Sequence, residues 1–412
     1  MSNSQKSPLG AGSKVVLGFS GGLDTSFCVT YFTQEMGYEV HSVIVNTGGF
    51  SKDELKHIEH HAHKLGVKTH KTVEAEESYY NTVIRFLIFG NVLKNNTYPL
   101  SVSAERLIQA LHISDFVEEQ NADAVAHGST GAGNDQVRFD MIFNIMIPGV
   151  EIITPIRDLK LSREEEIEYL RKKQVDMNFD KSLYSINKGL WGTSVGGKET
   201  LNSYGMLPEE AWPTQVTQTG TEEIKLTFKE GELYEVNGEE FETPVKAIKY
   251  LQEVCGPYGI GRDIHVGDTI IGIKGRVGFE AAAPMVILKA HHALEKHVLT
   301  KWQLNYKDQL ALFYGNWLHE GQILDPVMRD IEAFFTSTQK NVTGDVYVQL
   351  KPYHFQVTGI ESPFDLMNSK FGKYGEMNNG WSGQDVRGFS KIFGNQTMIW
   401  HQVKDSVKPP RT

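Results

Sequence analysis

Two glycine-rich clusters in this sequence carry the residue types that hold a phosphate group. The first, SGGLDTS at residues 20–26, follows the apolar run KVVLGF, and the second, HGSTGAGND at 127–135, follows the run DAVA. Adjacent glycines let the backbone approach a ligand closely. A helix that begins after them presents free N–H groups and the positive end of its dipole. The first cluster therefore predicts a cradle for phosphate or pyrophosphate, with three hydroxyl side chains as further donors.

Asp24 lies inside the first cluster and carries the same sign of charge as a phosphate. A carboxylate at this position suits a bound Mg²⁺, which it would reach through an oxygen or a water. Asp24 is therefore a candidate catalytic residue, with Mg²⁺ accompanying a nucleotide. The alternative is a glycine-rich turn between a strand and a helix, with Asp and Ser as caps.

Two other patterns are weaker. GTSVGGKE (192–199) nearly matches a P-loop, but Glu199 stands where the Mg²⁺-binding hydroxyl belongs. Four histidines between residues 57 and 63 resemble a metal cluster. They lack a further ligand at a suitable spacing, so we interpret them as a solvated helix face and assign no metal ligands.

Composition excludes several classes of function. The 412 residues carry a net charge of −10 and are 40% hydrophobic, which is typical of a globular protein of two or three domains. The acidic balance argues against a nucleic-acid partner, and the absence of a long apolar stretch argues against a membrane span. Cys28 and Cys255 are isolated and the N-terminus has no apolar signal-peptide core. We therefore expect a cytoplasmic protein with reduced thiols.

Strand-like and helix-like runs alternate from residue 14 to about residue 174, which indicates a doubly wound parallel sheet. The strand candidates are residues 14–19, 39–46, 67–73, 123–128 and 151–156. Helices are predicted up to Met36, over 51–66 and 162–173 with capping boxes, and as two stretches ending at Glu119. Such a sheet binds ligands beyond the carboxyl ends of its strands, so the two glycine-rich clusters should face one crevice.

The alternation ends near Val175, and the rest of the chain predicts an α+β domain. We expect a hairpin over 222–241 with an Asn237–Gly238 turn, a helix over 244–255 and a strand region over 344–359. A long helical region over 284–338 should be interrupted near Gly315 and Gly321. The last forty residues contain four large aromatic side chains but little core pattern, which predicts a tail that packs on a partner.

The motifs resemble those of a known family. SGGLDTS is similar to the pyrophosphate loop of N-type ATP pyrophosphatases, and GSTGAGNDQVRF (128–139) resembles the second signature of argininosuccinate synthases. YSINKGLWGTS (184–194), GIGRDIHVGDTIIGIKGRVGFEAAA (259–283) and ESPFDL (361–366) also resemble that family, in its usual order. The resemblance implies that ATP adenylates the ureido oxygen of citrulline, releasing pyrophosphate, and that aspartate displaces AMP to give argininosuccinate. Its partners would be these substrates and further copies of the chain in a homotetramer.

With this resemblance, the element pattern predicts three parts. Residues 1–176 would form the α/β, doubly wound nucleotide-binding domain. Residues 177–364 would form an α+β synthetase and multimerisation domain, and residues 365–412 an oligomerisation tail.

Site residues follow from their positions in the family's motifs. The implied ATP-binding residues are Gly18, Phe19, Ser20, Gly21, Gly22, Leu23, Asp24, Thr25, Ser26, Val45 and Gly128. The implied aspartate-binding residues are Thr130, Asn134 and Asp135, and Asp135 joins Asp24 as a catalytic residue because it would hold the incoming ammonium group. The implied citrulline-binding residues are Tyr98, Ser103, Asn134, Arg138, Ser185, Ser194, Gly267 and Phe279.

Four positions depart from the family pattern. Ala132 replaces a lysine, Gly267 and Asn187 replace acids, and Phe279 replaces a tyrosine. The last three changes make the part of the site that would bind the α-amino group of citrulline less suited to an ammonium group. One hypothesis is therefore that the acceptor is a citrulline acylated on its α-nitrogen, with Lys188 meeting a carboxylate of the acyl group.

Other interpretations stay open at this point. Asp268, one residue beyond Gly267, could replace the missing acid, so that plain citrulline is the substrate. A tRNA thiolase of the same superfamily would require a reactive cysteine pair and a basic surface. A nucleotide-binding sensor without activity would keep the ATP loop but would not need the aspartate-binding residues.

Overall fold

The computed structural model describes residues 9–179, 184–370, 372, 374–376 and 380–406. The chain divides into two compact units, Met1–Phe364 and Asp365–Thr412. Within the described residues, none of the helices combines the length and apolar character that crossing a bilayer requires.

The first unit begins with a five-stranded parallel sheet of order β3-β2-β1-β4-β5. Its strands are β1 (Lys14–Gly18), β2 (Glu39–Asn46), β3 (Thr69–Glu74), β4 (Ala124–Ala126) and β5 (Glu151–Ile153). The helices between and after them are α1 (Leu23–Gln34), α2 (Lys52–Lys64), α3 (Glu76–Tyr79), α4 (Arg85–Gly90), α5 (Ser101–Gln120), α6 (Asp135–Met146), α7 (Pro155–Asp158) and α8 (Arg163–Lys172). A π-helical turn, Tyr80–Ile84, joins α3 to α4. The predicted doubly wound sheet is confirmed.

Both faces of this sheet are covered because its strands are apolar on both sides. Val16 packs into one core with residues of α5, while Val15 and Leu17 pack into a second core with residues of α1 and α2. Successive side chains of a strand point to opposite faces, so a continuous apolar run requires helices on both.

The capping boxes predicted from Ser51 and Ser162 are both present, since each serine and the glutamate three residues later exchange hydrogen bonds. The fifth strand is shorter than predicted. It ends at Ile153 because Pro155, which has a fixed φ and no N–H group, begins α7.

Two antiparallel sheets and four α-helices complete the described part of the first unit. One sheet has the order β11-β12-β7-β6 and the other β10-β9-β8-β13-β14. Their strands are β6 (Ser185–Gly189), β7 (Gly192–Gly196), β8 (Glu222–Lys229), β9 (Glu232–Val236), β10 (Glu239–Glu240), β11 (Arg262–Asp268), β12 (Lys274–Glu280), β13 (Gly344–Lys351) and β14 (His354–Glu361). The helices are α9 (Pro244–Cys255), α10 (Ala282–Val298), α11 (Lys301–His319) and α12 (Pro326–Gln339).

Two predictions for this region are confirmed only in part. The predicted Asn237–Gly238 turn is present, and it joins the antiparallel strands β9 and β10. The main hairpin turns at Glu230 and Gly231, between β8 and β9, while Asn237 and Gly238 turn into the short strand β10. Gly315 does not interrupt the helical region, because it is buried inside α11 against Val92 and Leu100. The breaks fall instead between α10 and α11 and around Gly321, whose φ is +86°.

The second unit contains α13 (Gly383–Phe393) and α14 (Asn395–Ser406). Phe389 and Phe393 lie one helical turn apart on α13 and their rings stack at 5.2 Å. Both side chains are exposed, as are Trp381 and Trp400.

Candidate active site

A cleft of about 1140 Å³ opens where the order of the parallel strands reverses, between β1 and β4. The chain proceeds from β1 outward to β3 and then returns to β4, so the loops after β1 and β4 diverge to opposite sides of this point. Ligands of such sheets bind in the crevice that results. Both glycine-rich clusters line the cleft, as the sequence predicts.

The first cluster forms a tight loop onto α1. Gly21 has a φ of +75°, which favours glycine, and a Cβ atom there would lie 3.2 Å from Ile58. The Thr25 hydroxyl donates to the Gly22 carbonyl at 3.3 Å and lies 3.4 Å from the Ser20 hydroxyl. The loop therefore holds glycine backbone and hydroxyl groups at the N-terminus of α1, an arrangement that suits phosphate.

The second cluster meets the first directly. A Cβ atom at Gly128 would lie 3.2 Å from Cβ of Asp24, so the absence of a side chain lets the two loops touch. His127 anchors this loop, since its Nδ1 accepts from the Ser129 N–H at 3.2 Å and its Nε2 lies 2.8 Å from Asp140. Asp140 in turn binds Arg157 at 2.6 Å. The position of Gly128 in the cleft is thus set by a chain of polar contacts.

Asp135 begins α6 and lies between two arginines. Arg106 Nε donates to one of its carboxylate oxygens at 3.0 Å, and Arg138 Nη1 donates to the other at 2.9 Å. Partial burial raises the pKa of Asp135, but the two arginines outweigh burial and hold that pKa below its usual value. Asp135 is therefore a carboxylate that stays charged at neutral pH.

Asp24 shares a polar contact with Glu166 of α8. Burial and the nearby carboxyl of Asp24 together raise the pKa of Glu166 to about 8, and burial also raises the pKa of Asp24. Two carboxyl groups this close do not both ionise readily, so the pair holds a proton near neutral pH.

The residues at this end of the cleft fit Mg²⁺ that is bound to the phosphates of a nucleotide. The described residues contain no group of three or more His, Cys, Asp or Glu side chains that could hold a metal. Asp24 is a single carboxylate that faces the cleft, and Mg²⁺ commonly takes one or two carboxylates with its other ligands from phosphates and water.

Most predicted site residues line the cleft. They are Gly18, Phe19, Ser20, Gly21, Gly22, Leu23, Asp24, Thr25, Val45, Gly128, Thr130, Asn134, Asp135, Arg138 and Ser185. Six others are not among the lining residues: Ser26, Tyr98, Ser103, Ser194, Gly267 and Phe279. The Ser26 hydroxyl is buried and lies 2.9 Å from His61 Nε2, so His61 is half-buried and is not on the solvated helix face that we predicted.

The other five residues lie around the antiparallel sheet that contains β6 and β12. Phe279, Ser194 and Asn187 form one row across β12, β7 and β6. The Phe279 ring lies 5.4 Å from that of Tyr98, and Ser103 lies 3.4 Å from His319 Nδ1.

His265 fills the space beside Gly267. The two residues share a face of β11, and a Cβ atom at position 267 would overlap His265 Nε2. The His265 ring stacks on Tyr98 at 5.1 Å and its Nδ1 is buried without a hydrogen-bond partner among the described residues. Burial lowers the pKa of His265 and the charge of Lys94 lowers it further. A neutral ring therefore stands beside Gly267, at the place where the sequence resemblance implies an acid.

Sequence reasoning missed two side chains of the cleft, Glu105 and Arg106 of α5. Arg106 joins three separate parts of the chain, because it also donates to Asn187 Oδ1 at 2.9 Å and to Glu105 Oε1 at 3.1 Å. No local motif surrounds either residue, and α5 contains other polar side chains such as Gln109 and His112, so polarity alone does not mark them in the sequence.

Comparisons with known proteins agree with this arrangement. A family model described as the arginosuccinate synthase N-terminal HUP domain matches residues 14–176, and a model of the C-terminal domain matches residues 184–400. The argininosuccinate synthase of Methanocaldococcus jannaschii is 39% identical over 392 residues, which cover 94% of this chain and 98% of the relative. That of Dictyoglomus thermophilum is 35% identical over 390 residues, covering 94% and 97%. That of Xanthomonas axonopodis pv. citri is 35% identical over 401 residues, covering 94% and 95%.

Proposed function

Because the chain belongs to the argininosuccinate synthase family, a family of ATP-dependent ligases that form a C–N bond, we propose a two-step reaction in the cleft. ATP adenylates the ureido oxygen of a citrulline-type acceptor and releases pyrophosphate. The amine of aspartate then attacks the same carbon and AMP leaves. The observation that carries this proposal is the meeting of the two glycine-rich loops in one cleft, beside Asp135 and its two arginines.

The loop at residues 20–26 would bind the phosphates. Its N–H and hydroxyl groups suit the charge that develops on departing pyrophosphate, and Asp24 would hold Mg²⁺, which neutralises phosphate charge. Val45, at the end of β2, would lie against the adenine, and Gly128, where the second loop touches the first, would contact the nucleotide beside Asp24.

Asp135 would hold the ammonium group of aspartate, with Thr130 and Asn134 binding beside it. Arg138 carries a fork of donors that suits the carboxylate of the acceptor. Positioning of three substrates would supply much of the remaining rate enhancement. Family membership disfavours a thiolase, and both cysteines are buried, which raises their pKa and suppresses thiolate chemistry.

A second candidate keeps this chemistry but uses an N-acylated citrulline. His265 occupies the space that an acid at Gly267 would use, and Phe279 is buried and apolar. Neither group would bind a free α-ammonium. The charge of Lys94 acts on His265, and its Nζ donates to the neutral Asn316 Oδ1 at 2.6 Å, a bond that it could exchange for one to a carboxylate; we favour Lys94 over Lys188 as the partner of an acyl carboxylate. Lys188 alternates with Asn187 along β6 and so points to the opposite face of the sheet from the row that contains Phe279.

Plain citrulline would need another acid. Asp268 is the nearest in sequence, and it forms an ion pair with Lys274 at 2.7 Å in which both side chains are exposed. Exposed pairs contribute little, so Asp268 could turn to a substrate at small cost.

The test is pyrophosphate release with ATP, aspartate and a panel of citrulline, N-acetylcitrulline and N-succinylcitrulline. We expect release that depends on aspartate, and a higher kcat/KM for an acyl form if the second candidate is right. The variant Lys94→Gln should then lower kcat/KM for N-succinylcitrulline more than for N-acetylcitrulline, since only the former has a second carboxylate. No release with any acceptor would contradict the proposed function, and equal or better use of plain citrulline would contradict the acylated candidate.

We further propose that residues 365–412 promote assembly of a homotetramer, and that residues 1–176 and 177–364 serve nucleotide binding and synthesis respectively. The truncation point suggested by the sequence pattern, Asn378, lies outside the described residues. A chain that ends at Phe364 instead removes the whole second unit.

We expect this truncated chain to lose the tetramer yet keep a cooperative melting transition, because the first unit has its own continuous core. Light scattering and calorimetry measure the two outcomes. The double variant Phe389→Ser and Phe393→Ser should also weaken assembly, whereas Arg387→Ser on the same helix should not. A tetramer that survives truncation would refute the role of the tail.

A further inference from the structure

Glu105 is a buried carboxyl group in the wall of the cleft. It lies on α5 and is 3% exposed. Its Oε1 accepts from Arg106 Nη1 at 3.1 Å and from Gln109 Nε2 at 2.9 Å. Among the described residues, no hydrogen bond of good geometry reaches its buried Oε2, although the Thr47 side chain lies close enough to lower the pKa of the carboxyl. A buried carboxyl oxygen so weakly partnered is costly, so its retention calls for an explanation.

The chain leaves room for this carboxyl on β6. A Cβ atom at position 189 would overlap Glu105 Oε2, so Gly189 is required for the carboxyl to reach its place. Arg106, which donates to Glu105, also donates to Asn187 Oδ1 at 2.9 Å and to the Asp135 carboxylate at 3.0 Å. Glu105 and Asp135 therefore share one guanidinium group, and both line the cleft.

The proposed reaction needs a proton acceptor at this point. Aspartate carries an ammonium group at neutral pH, and its nitrogen has no lone pair for attack until a proton leaves. Asp135 is a weak base, because its two arginines hold its pKa below the usual value and so disfavour the protonated form. A general base works best when its pKa lies near the pH of the reaction.

The other titratable groups that line the cleft are already engaged. Asp24 pairs with Glu166 at the phosphate loop. Glu54 accepts from the backbone and hydroxyl of Ser51 at 2.8 and 2.7 Å as part of a helix cap. Both ring nitrogens of His127 have partners. The remaining groups are lysine and arginine side chains, which stay protonated.

We propose that Glu105 is the general base that takes a proton from the ammonium group of aspartate, directly or through one water. This proposal rests on the proposed function, since it assumes that aspartate binds beside Asp135. The transfer converts the ammonium to an amine and the Glu105 carboxylate to a carboxylic acid. The amine lone pair then forms the C–N bond, the C–O bond to AMP breaks, and AMP keeps that electron pair. The second proton of the nitrogen leaves to solvent as the guanidinium product forms.

The surroundings of Glu105 set its proton affinity. Burial is the main cause that raises its pKa, Arg106 and the Thr47 side chain lower it, Asp135 raises it, and the net result is a pKa of about 7. Tyr79 of α3 also faces the carboxyl, and Lys188 lies on the adjoining strand β6. Because the base must be deprotonated, turnover should increase as pH rises through about 7 and fall below it.

The test compares Glu105→Gln with Glu118→Gln, an exposed position on the same helix. We expect Glu105→Gln to lower kcat about 10²-fold or more and to lose the acidic limb of the pH profile. Adenylation should stay within twofold of wild type, measured as ¹⁸O exchange between bridging and non-bridging positions of ATP with the acceptor and without aspartate. Its melting temperature at pH 8 should be equal to or above that of wild type, because a buried carboxylate is removed. Glu118→Gln should match wild type in all four measurements.

Two results would overturn the proposal. One is a Glu105→Gln enzyme that keeps turnover and the acidic limb. The other is an equal loss of adenylation and overall turnover with a lower melting temperature, which indicates a structural role. The variant Glu105→Asp, which retains a carboxyl group, should recover part of the activity together with the acidic limb. If the wild-type enzyme itself releases no pyrophosphate with any acceptor, the proposed function fails instead.

Discussion

Substituting Asp24→Asn should lower pyrophosphate release about 10³-fold or more. The change removes the carboxylate that we propose for Mg²⁺, and a metal ion supplies several kcal/mol of charge stabilisation in the transition state. The fold should persist, because burial raises the pKa of Asp24 and asparagine avoids burying a charge beside Glu166. We expect the melting temperature at pH 8 to fall by no more than about 2 °C.

Asp53→Asn is the matched control for this variant. Asp53 also lies in the first turn of a helix that follows a strand of the same sheet, but its side chain is exposed and does not line the cleft. Its activity should equal that of wild type. Measuring release across Mg²⁺ concentrations adds a second criterion, because the loss in Asp24→Asn should diminish at high Mg²⁺ if the carboxylate binds the ion. Near-normal turnover of Asp24→Asn would remove Asp24 from the mechanism.

The second large effect is expected at Asp135. The variant Asp135→Asn should reduce kcat/KM for aspartate about 10²- to 10³-fold while ¹⁸O exchange in ATP continues, because the ammonium group loses its carboxylate partner. The variant should also lose about 1.5–3 kcal/mol of stability, since Arg138 is nearly fully buried and loses a charged hydrogen bond.

Asp135→Glu separates these two effects. It retains the charge for both arginines but moves the carboxylate, so stability should largely return while aspartate is still used poorly. Asp115→Asn, an exposed residue of α5, serves as the control. Unlike Glu105→Gln, both Asp135 variants should keep the acidic limb of the pH profile. An Asp135→Asn enzyme with an unchanged KM and kcat for aspartate would show that the ammonium group binds elsewhere.

Local sequence patterns determined the fold class and the location of the cleft. Apolar runs that end in glycine and hydroxyl residues are short-range signals, and parallel strands necessarily place their carboxyl ends at one edge. The sequence also predicts the capping boxes at Ser51 and Ser162, because each depends on residues only three positions apart. Element boundaries differ from the local rule where packing overrides it, as at Gly315, which is buried inside α11.

Only the tertiary structure decided which side chains complete the site. Arg106 lies 29 residues from Asp135 and 81 from Asn187, and no local pattern connects them. The buried position of Glu105 depends on the glycine at 189, and the space beside Gly267 is filled by His265 because β11 places alternate residues on one face. The shift of a carboxyl group's pKa from its usual value depends on burial and on charges of other elements. This shift therefore appears only once the chain has folded.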